Sequence, residues 1–284
     1  GGLVNDWVEG NAPSTWPNVD FDGNGKVTAL YLDNYGLSGD VPTEFTTLDQ
    51  LRFLSIGGND ITSFPEGFGN LDSLEQIYAW GNQLTDVPSD FFDLAIVYNI
   101  DLSGNQLANA DLTGLTNVAT TLTDLNLAAN DLPAIPSEVY SLTNLLQLYL
   151  DGNQISFLDD QISNLSNLEF LTLGYNAGLG DLPGGLGSLS NLHTLNIYEA
   201  GVSSFPDMSG LTNLRNLSAW NNNISNDFFD FTVLDSIETL DIYGNQVSGT
   251  LDGIGNLTNL INLYAGFNQL SGGIPADISG AVSL

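Results

Sequence analysis

The sequence predicts a solenoid of the α/β class, about eleven repeats long, with little regular helix. Three observations carry the prediction. A template L-x-x-L-x-L-x-x-N-x-L opens at residues 27, 51, 74, 97, 122, 145, 168, 192, 214, 237 and 260, a spacing of 22 to 25 residues. Such a period belongs to stacked repeats, because one repeat cannot bury its apolar side alone and stacking makes one continuous core. Within each copy the apolar residues alternate, as a strand requires. The second half of many copies reads P-x-x-φ-x-x-L, a pattern that suits a single 3₁₀ turn.

The elements follow in chain order. Residues 1–26 break the template and hold Asp6-Trp7 and the run from Trp16 to Lys26. From residue 27 the copies begin, among them LRFLSIGGNDI from Leu51, LTDLNLAANDL from Leu122, LLQLYLDGNQI from Leu145 and IETLDIYGNQV from Ile237. In each copy the second and third leucine positions face the core. The turn half appears as Pro65 to Leu71 and Pro136 to Leu142. Asparagine recurs at 59, 82, 105, 130, 153, 176, 222, 245 and 268, and its amide can both donate and accept. Tyr35 and Ala200 stand where the first and eighth copies would carry it.

This template resembles the leucine-rich repeat family over nearly the whole chain. The resemblance implies a horseshoe with one short parallel strand per repeat on a concave sheet. It also implies an asparagine ladder satisfying buried backbone groups, which should break at Tyr35 and Ala200. Leu-Ser-Gly-Asp-Val-Pro at 37–42 and Leu-Ser-Gly-Gly-Ile-Pro at 270–275 look like the form found in plant and bacterial surface repeats. Residues 1–26 resemble the N-terminal cap of such proteins, held here by packing of Trp7, Trp16 and Phe21 in place of a cysteine. The expected organisation is a cap over 1–26 and a solenoid over 27–284. Pro275 stands nine residues before Leu284, as Pro136 and Pro183 stand nine before the next copies. Leu284 therefore reads as the first residue of a twelfth repeat, with further repeats or domains expected beyond it.

Composition narrows the function. There are 34 Asp plus Glu against 3 Lys plus Arg, a formal net charge of −31. Such a chain has no patch to neutralise phosphates, which excludes nucleic acid and anionic membrane surfaces as expected partners. No apolar run reaches the length of a membrane span. With no cysteine and one histidine, thiolate, metal–histidine and Ser-His-Asp chemistry lack material. Aspartates scattered over an open sheet do not make a glycosidase pair, so no enzymatic activity and no catalytic residue are expected.

The template places its third, fifth and seventh positions on the outer face of the sheet. Aromatic residues gather there. Tyr31, Phe53, Tyr78 and Trp80 form one group, and Tyr198, Trp220 and Tyr243 form another, with Tyr264 and Phe267 beside them. Tyr149 stands on the same face. Cross-strand bracing is the plain reading. The sharper one is a ligand-binding surface, since large exposed aromatic patches are seldom idle. Asp20, Asp22 and Asn24 match the first half of a calcium loop, D-x-D-G-N-G, yet the twelfth position is Tyr31 where the loop needs Glu. A plain turn is the preferred reading and a calcium ion the alternative; no other cofactor is expected. Sequons at Asn164, Asn216, Asn223 and Asn256 fall naturally out of the repeat consensus. The varied fifth and seventh positions offer no flat Thr or Asn array for ice.

The expectation is therefore an extracellular or cell-surface recognition or adhesion module. It would bind a protein or surface ligand through its aromatic concave face. Two alternatives stand beside it: a carbohydrate-binding module using the aromatic ladders, and a structural spacer in a larger surface protein.

Overall fold

The structure is a computed structural model that describes residues 17–284. Trp7 and Trp16, and with them the expected cap packing, lie outside the described residues. The chain forms two compact units, Gly1–Leu132 with Pro136–Asn144, and Pro133–Ile135 with Leu145–Leu284. Both are built from the same repeat.

In the first unit the strands Val27–Tyr31, Phe53–Ser55, Gln76–Tyr78, Asn99–Asp101 and Asp124–Asn126 pair in parallel, each with the next in chain order. The register sets Leu30, Leu54, Ile77, Ile100 and Leu125 side by side. Val19–Phe21 adds an antiparallel strand to Val27–Tyr31, so the end of the expected cap segment joins the sheet. In the second unit Gln147–Tyr149, Phe170–Thr172, Thr194–Asn196, Asn216–Ser218, Thr239–Asp241 and Asn262–Tyr264 pair in the same way. Each template position expected to form a strand does so among the described residues.

Most turn halves are 3₁₀ helices, those of the third and eighth repeats being plain turns, and there is no α-helix among the described residues. Pro42, Pro136, Pro183 and Pro275 each immediately precede one, where their fixed φ suits an extended cap. Asp159 and Asp227 do the same job by accepting a backbone N–H, from Gln161 and Phe229. Behind the strands the leucines are sealed: Leu51, Leu54, Leu74, Ile77, Leu171 and Leu195 expose nothing. Phenylalanines fill the space between the layers, Phe68 and Phe91 at the apolar position of the turn template. Phe64, Phe68 and Phe91 lie with ring centroids 4.7 to 5.1 Å apart in the first unit, and Phe205 and Phe231 lie 5.7 Å apart in the second.

The asparagines form the ladder. Asn82 donates to the carbonyls of Ile56, Ala79 and Trp80 and accepts from Ile61 N–H. Asn176 and Asn245 repeat this pattern in the second unit. The ladder does not break where the amide is missing. Asn59 accepts from both Tyr35 and Leu37 N–H, and Asn222 from both Ala200 and Val202 N–H. An amide oxygen has two lone pairs, so one asparagine serves two repeats.

Candidate functional site

The expected aromatics all reach the outer face of the strands, but the structure groups them unequally. In the first unit Tyr31, Phe53 and Tyr78 pack in sequence, with ring centroids 4.9 and 5.5 Å apart and planes tilted by 35° and 41°. Tyr78 donates to Gln76 at 3.1 Å, and Tyr31 to Asp20 at 3.1 Å. Trp80 lies over Gly57, where an added Cβ would sit 2.2 Å from its Cε2. Phe53, Tyr78 and Trp80 are half-buried, and only Tyr31 is exposed. Tyr31, Phe53 and Tyr78 thus pack on one another, and Trp80 packs on the sheet.

In the second unit the rings form a longer strip. Tyr198 and Trp220 stack at 5.0 Å with planes 5° apart. Tyr175 stands edge-on to Tyr198 at 5.1 Å, and Phe267 edge-on to Tyr243 at 5.1 Å. Tyr175 is 52% exposed, Tyr243 42% and Phe267 78%. Tyr264 is exposed without a ring neighbour among the described residues. Tyr149 is half-buried and its hydroxyl donates to Gln147.

Tyr175 and Phe267 occupy the eighth template position, just before the ladder asparagine. That position is left-handed in every repeat, with φ between 50° and 68°. Five repeats carry glycine there: Gly58, Gly81, Gly104, Gly152 and Gly244. A side chain at such a φ costs about 1–2 kcal/mol. Tyr175, Glu199 and Phe267 carry that cost around the strip. Strain of this kind persists where the side chain is useful, and it clusters at functional sites. The sequence held this signal in the recurrent glycine, which marks a position that should resist large residues.

Two carboxylates are locked beneath the rings by the same arrangement. Asp33 accepts from the Ser55 hydroxyl at 2.7 Å and from Gly57 N–H at 2.6 Å. Asp151 accepts from the Thr172 hydroxyl and, at 2.9 Å, from Gly174 N–H. Trp80 covers the first glycine and Tyr198 the second. Burial pushes the Asp151 carboxyl above its ordinary value, against the downward pull of its hydrogen bonds. Burial likewise raises Asp241, whose carboxylate accepts from Tyr243 N–H at 3.1 Å. It raises the Tyr78 and Tyr198 hydroxyls too, which stay neutral donors at physiological pH.

The loop considered for calcium is used by the protein itself. Asp22 accepts from Asn24 and Lys26 N–H, both at 2.8 Å, and the Lys26 contact holds its carboxyl below the usual range. Asp20 turns to Tyr31. No three acidic, histidine or cysteine side chains gather as a metal shell would among the described residues. His193 faces Glu169, its Nδ1 3.8 Å from the carboxylate. Asn216 lies exposed on its strand beside the strip.

Models of the leucine rich repeat match residues 50–71 and 120–177. With the parallel strands, the 3₁₀ turns and the asparagine ladder, these matches identify the repeat. The chain is built of leucine-rich repeats. Receptor-like protein 36 of Arabidopsis thaliana is 36% identical to it over 109 residues, 36% of this chain and 15% of that protein. Among solved leucine-rich repeat structures, the Arabidopsis receptor kinase HAESA in complex with the peptide hormone IDA and the co-receptor SERK1 superposes with a TM-score of 0.84 at 25% identity. That match covers 96% of this chain and 47% of the other. A TDR receptor superposes with a TM-score of 0.80 at 26% identity, over 89% of this chain and 45% of the other. The chain thus spans under half the length of these structures and far less of the curated relative.

Proposed function

We propose that this chain is a non-catalytic recognition module of the cell surface or extracellular space. It binds a peptide or protein ligand through the aromatic strip of its second unit. The observation that carries the reading is the placement of exposed Tyr175 and Phe267 at strained positions beside Tyr198, Trp220 and Tyr243. Bracing alone does not account for them, because side chains 52% and 78% exposed contribute little packing. Tyr and Trp are favoured interface anchors, since they offer large contact area and a hydrogen bond at low entropic cost. The relative HAESA, solved with a peptide hormone and a co-receptor, supports a protein ligand and a surface location. The first unit's rings are assigned to bracing. Stacked ladders favour sugars less, because the facing sides of Tyr198 and Trp220 are spent on each other.

The test is a peptide-display selection on the immobilised chain, with a glycan array run in parallel. The expected result is an enriched peptide family whose binding is lost in Trp220→Ala/Tyr243→Ala, about 2 kcal/mol or more per ring, with the ladder and core intact. Binding unchanged in that variant, or glycans alone retained, would reject this reading.

A further inference from the structure

The rings of the strip do not all lean the same way. Tyr198 leans back over Gly174, where a Cβ would meet its Cε2 at 2.6 Å, and Trp220 stacks back on Tyr198. Tyr243 leans forward over Gly266, where a Cβ would meet its Cδ2 at 3.3 Å, and touches Phe267. The strands carrying Trp220 and Tyr243 are adjacent and paired through Ser218 and Asp241. No ring contact joins Trp220 to Tyr243 among the described residues, although neighbouring strands lie only about 4.8 Å apart. Trp220 and Tyr243 thus lean apart and leave a gap between them, with Ser218 and Asp241 on the same face of the sheet.

The charge at this gap is one-sided. Asp241 is half-buried, and the Tyr243 N–H is its one hydrogen-bond donor among the described residues. No cation neutralises it. Arg215, on the next strand, pairs with Glu238, and His193 faces Glu169. Glu199 adds a second carboxylate near the rim, where it accepts from Asn221 at 3.4 Å. Two π-faces and an unpaired, partly desolvated carboxylate complement a planar cation. A guanidinium can lie between rings while its N–H fork meets a carboxylate.

We infer that the gap between Trp220 and Tyr243 seats an arginine side chain of the ligand, with Asp241 as its counter-ion. This rests on the concave-face reading above and names the group which that face selects. A neutral sugar would leave the Asp241 charge without a counter-ion, and an acidic residue would be repelled by it.

The experiment follows the Trp220 indole N–H by NMR in the full chain at about 0.15 M salt, with the signal assigned by its loss in Trp220→Phe. The probe is N-acetyl-arginine amide, and its neutral isostere N-acetyl-citrulline amide is the comparison. Saturable shifts are expected with arginine, and binding at least about tenfold weaker with citrulline. Asp241→Asn should weaken the arginine probe by a similar factor. Asp235→Asn, an equal charge change between the turn Phe228–Val233 and the strand Thr239–Asp241, should leave it within about twofold. Equal shifts with citrulline, or equal effects of the two variants, would overturn the inference. So would shifts as strong with a methyl glycoside. The citrulline comparison needs no variant, so it holds even if Asp241→Asn folds poorly. A selected peptide that needs Trp220 and Tyr243 but ignores Asp241→Asn would end this inference and leave the concave-face reading standing.

Discussion

Gly57 is held as glycine by a ring and not by its own backbone. A methyl there would meet Trp80 at 2.2 Å. Gly57→Ala should therefore either overpack the site, at about 1–3 kcal/mol, or swing the indole into water. Melting curves together with tryptophan emission check this; an unshifted melting point with unshifted emission would contradict the contact. Asp151 makes a prediction with a sign. Its folded-state proton is held to higher pH than in the unfolded chain, whose ordinary value is 3.8. Between those two values the folded state binds more protons, so stability falls as pH rises and the loss is complete above the folded value. Asp151→Asn removes that loss. Compared with the parent, the variant should gain melting temperature between pH 3 and pH 7, and a difference independent of pH would refute the assignment.

The ladder asparagines differ in load, and the difference is testable at the level of the repeat. Asn245 accepts one N–H, from Ile224, whereas Asn222 accepts two, from Ala200 and Val202. Each buried group left unpaired costs about 1–3 kcal/mol. Asn222→Ala should therefore be more destabilising than Asn245→Ala, by roughly one such increment. Hydrogen exchange should show the Ala200 and Val202 amides opening first. Equal urea midpoints for the two variants would show that water replaces the second bond. The strands and turns that carry these groups were legible in the sequence, because the L-x-x-L-x-L alternation and the P-x-x-φ spacing are local patterns. The packing of the phenylalanine rings between the layers was not. Phe64 and Phe68 belong to the second repeat and Phe91 to the third, and only stacking brings Phe91 within about 5 Å of the other two.

For the whole molecule, charge sets the solution behaviour. Of 34 carboxylates only a few meet a cation. Lys26 pairs with Asp49 at 3.0 Å, Arg52 with Glu75 at 2.7 Å and Arg215 with Glu238 at 3.8 Å, the last two across neighbouring repeats. Exposed pairs of this sort contribute about 0–1 kcal/mol each. Salt weakens those pairs but relieves the far larger self-repulsion of a net charge of −31. Melting temperature should accordingly rise from about 0.01 M to 0.3 M sodium chloride, where the Debye length falls from about 30 Å to under 8 Å. A flat response would refute self-repulsion as a major term. Calcium chloride at matched ionic strength should give the same curve, since Asp20 and Asp22 are committed to Tyr31 and to the turn at Lys26.

The sequence by itself determined the repeat, its strands and turns, its ladder and the set of side chains on the outer face. Each is fixed by a period or by a residue type that has one role wherever the template recurs. Only the tertiary structure decided how the ladder crosses Tyr35 and Ala200, because an asparagine's second lone pair finds its donor in the neighbouring repeat. It also decided which aromatics pack on one another and which project. Tyr78 and Trp80 occupy the same template positions as Ser218 and Trp220, yet Trp80 covers Gly57 while Trp220 stacks on Tyr198. A ring leans toward whichever neighbouring repeat leaves it room. That room depends on residues some twenty positions away, and no local pattern contains it.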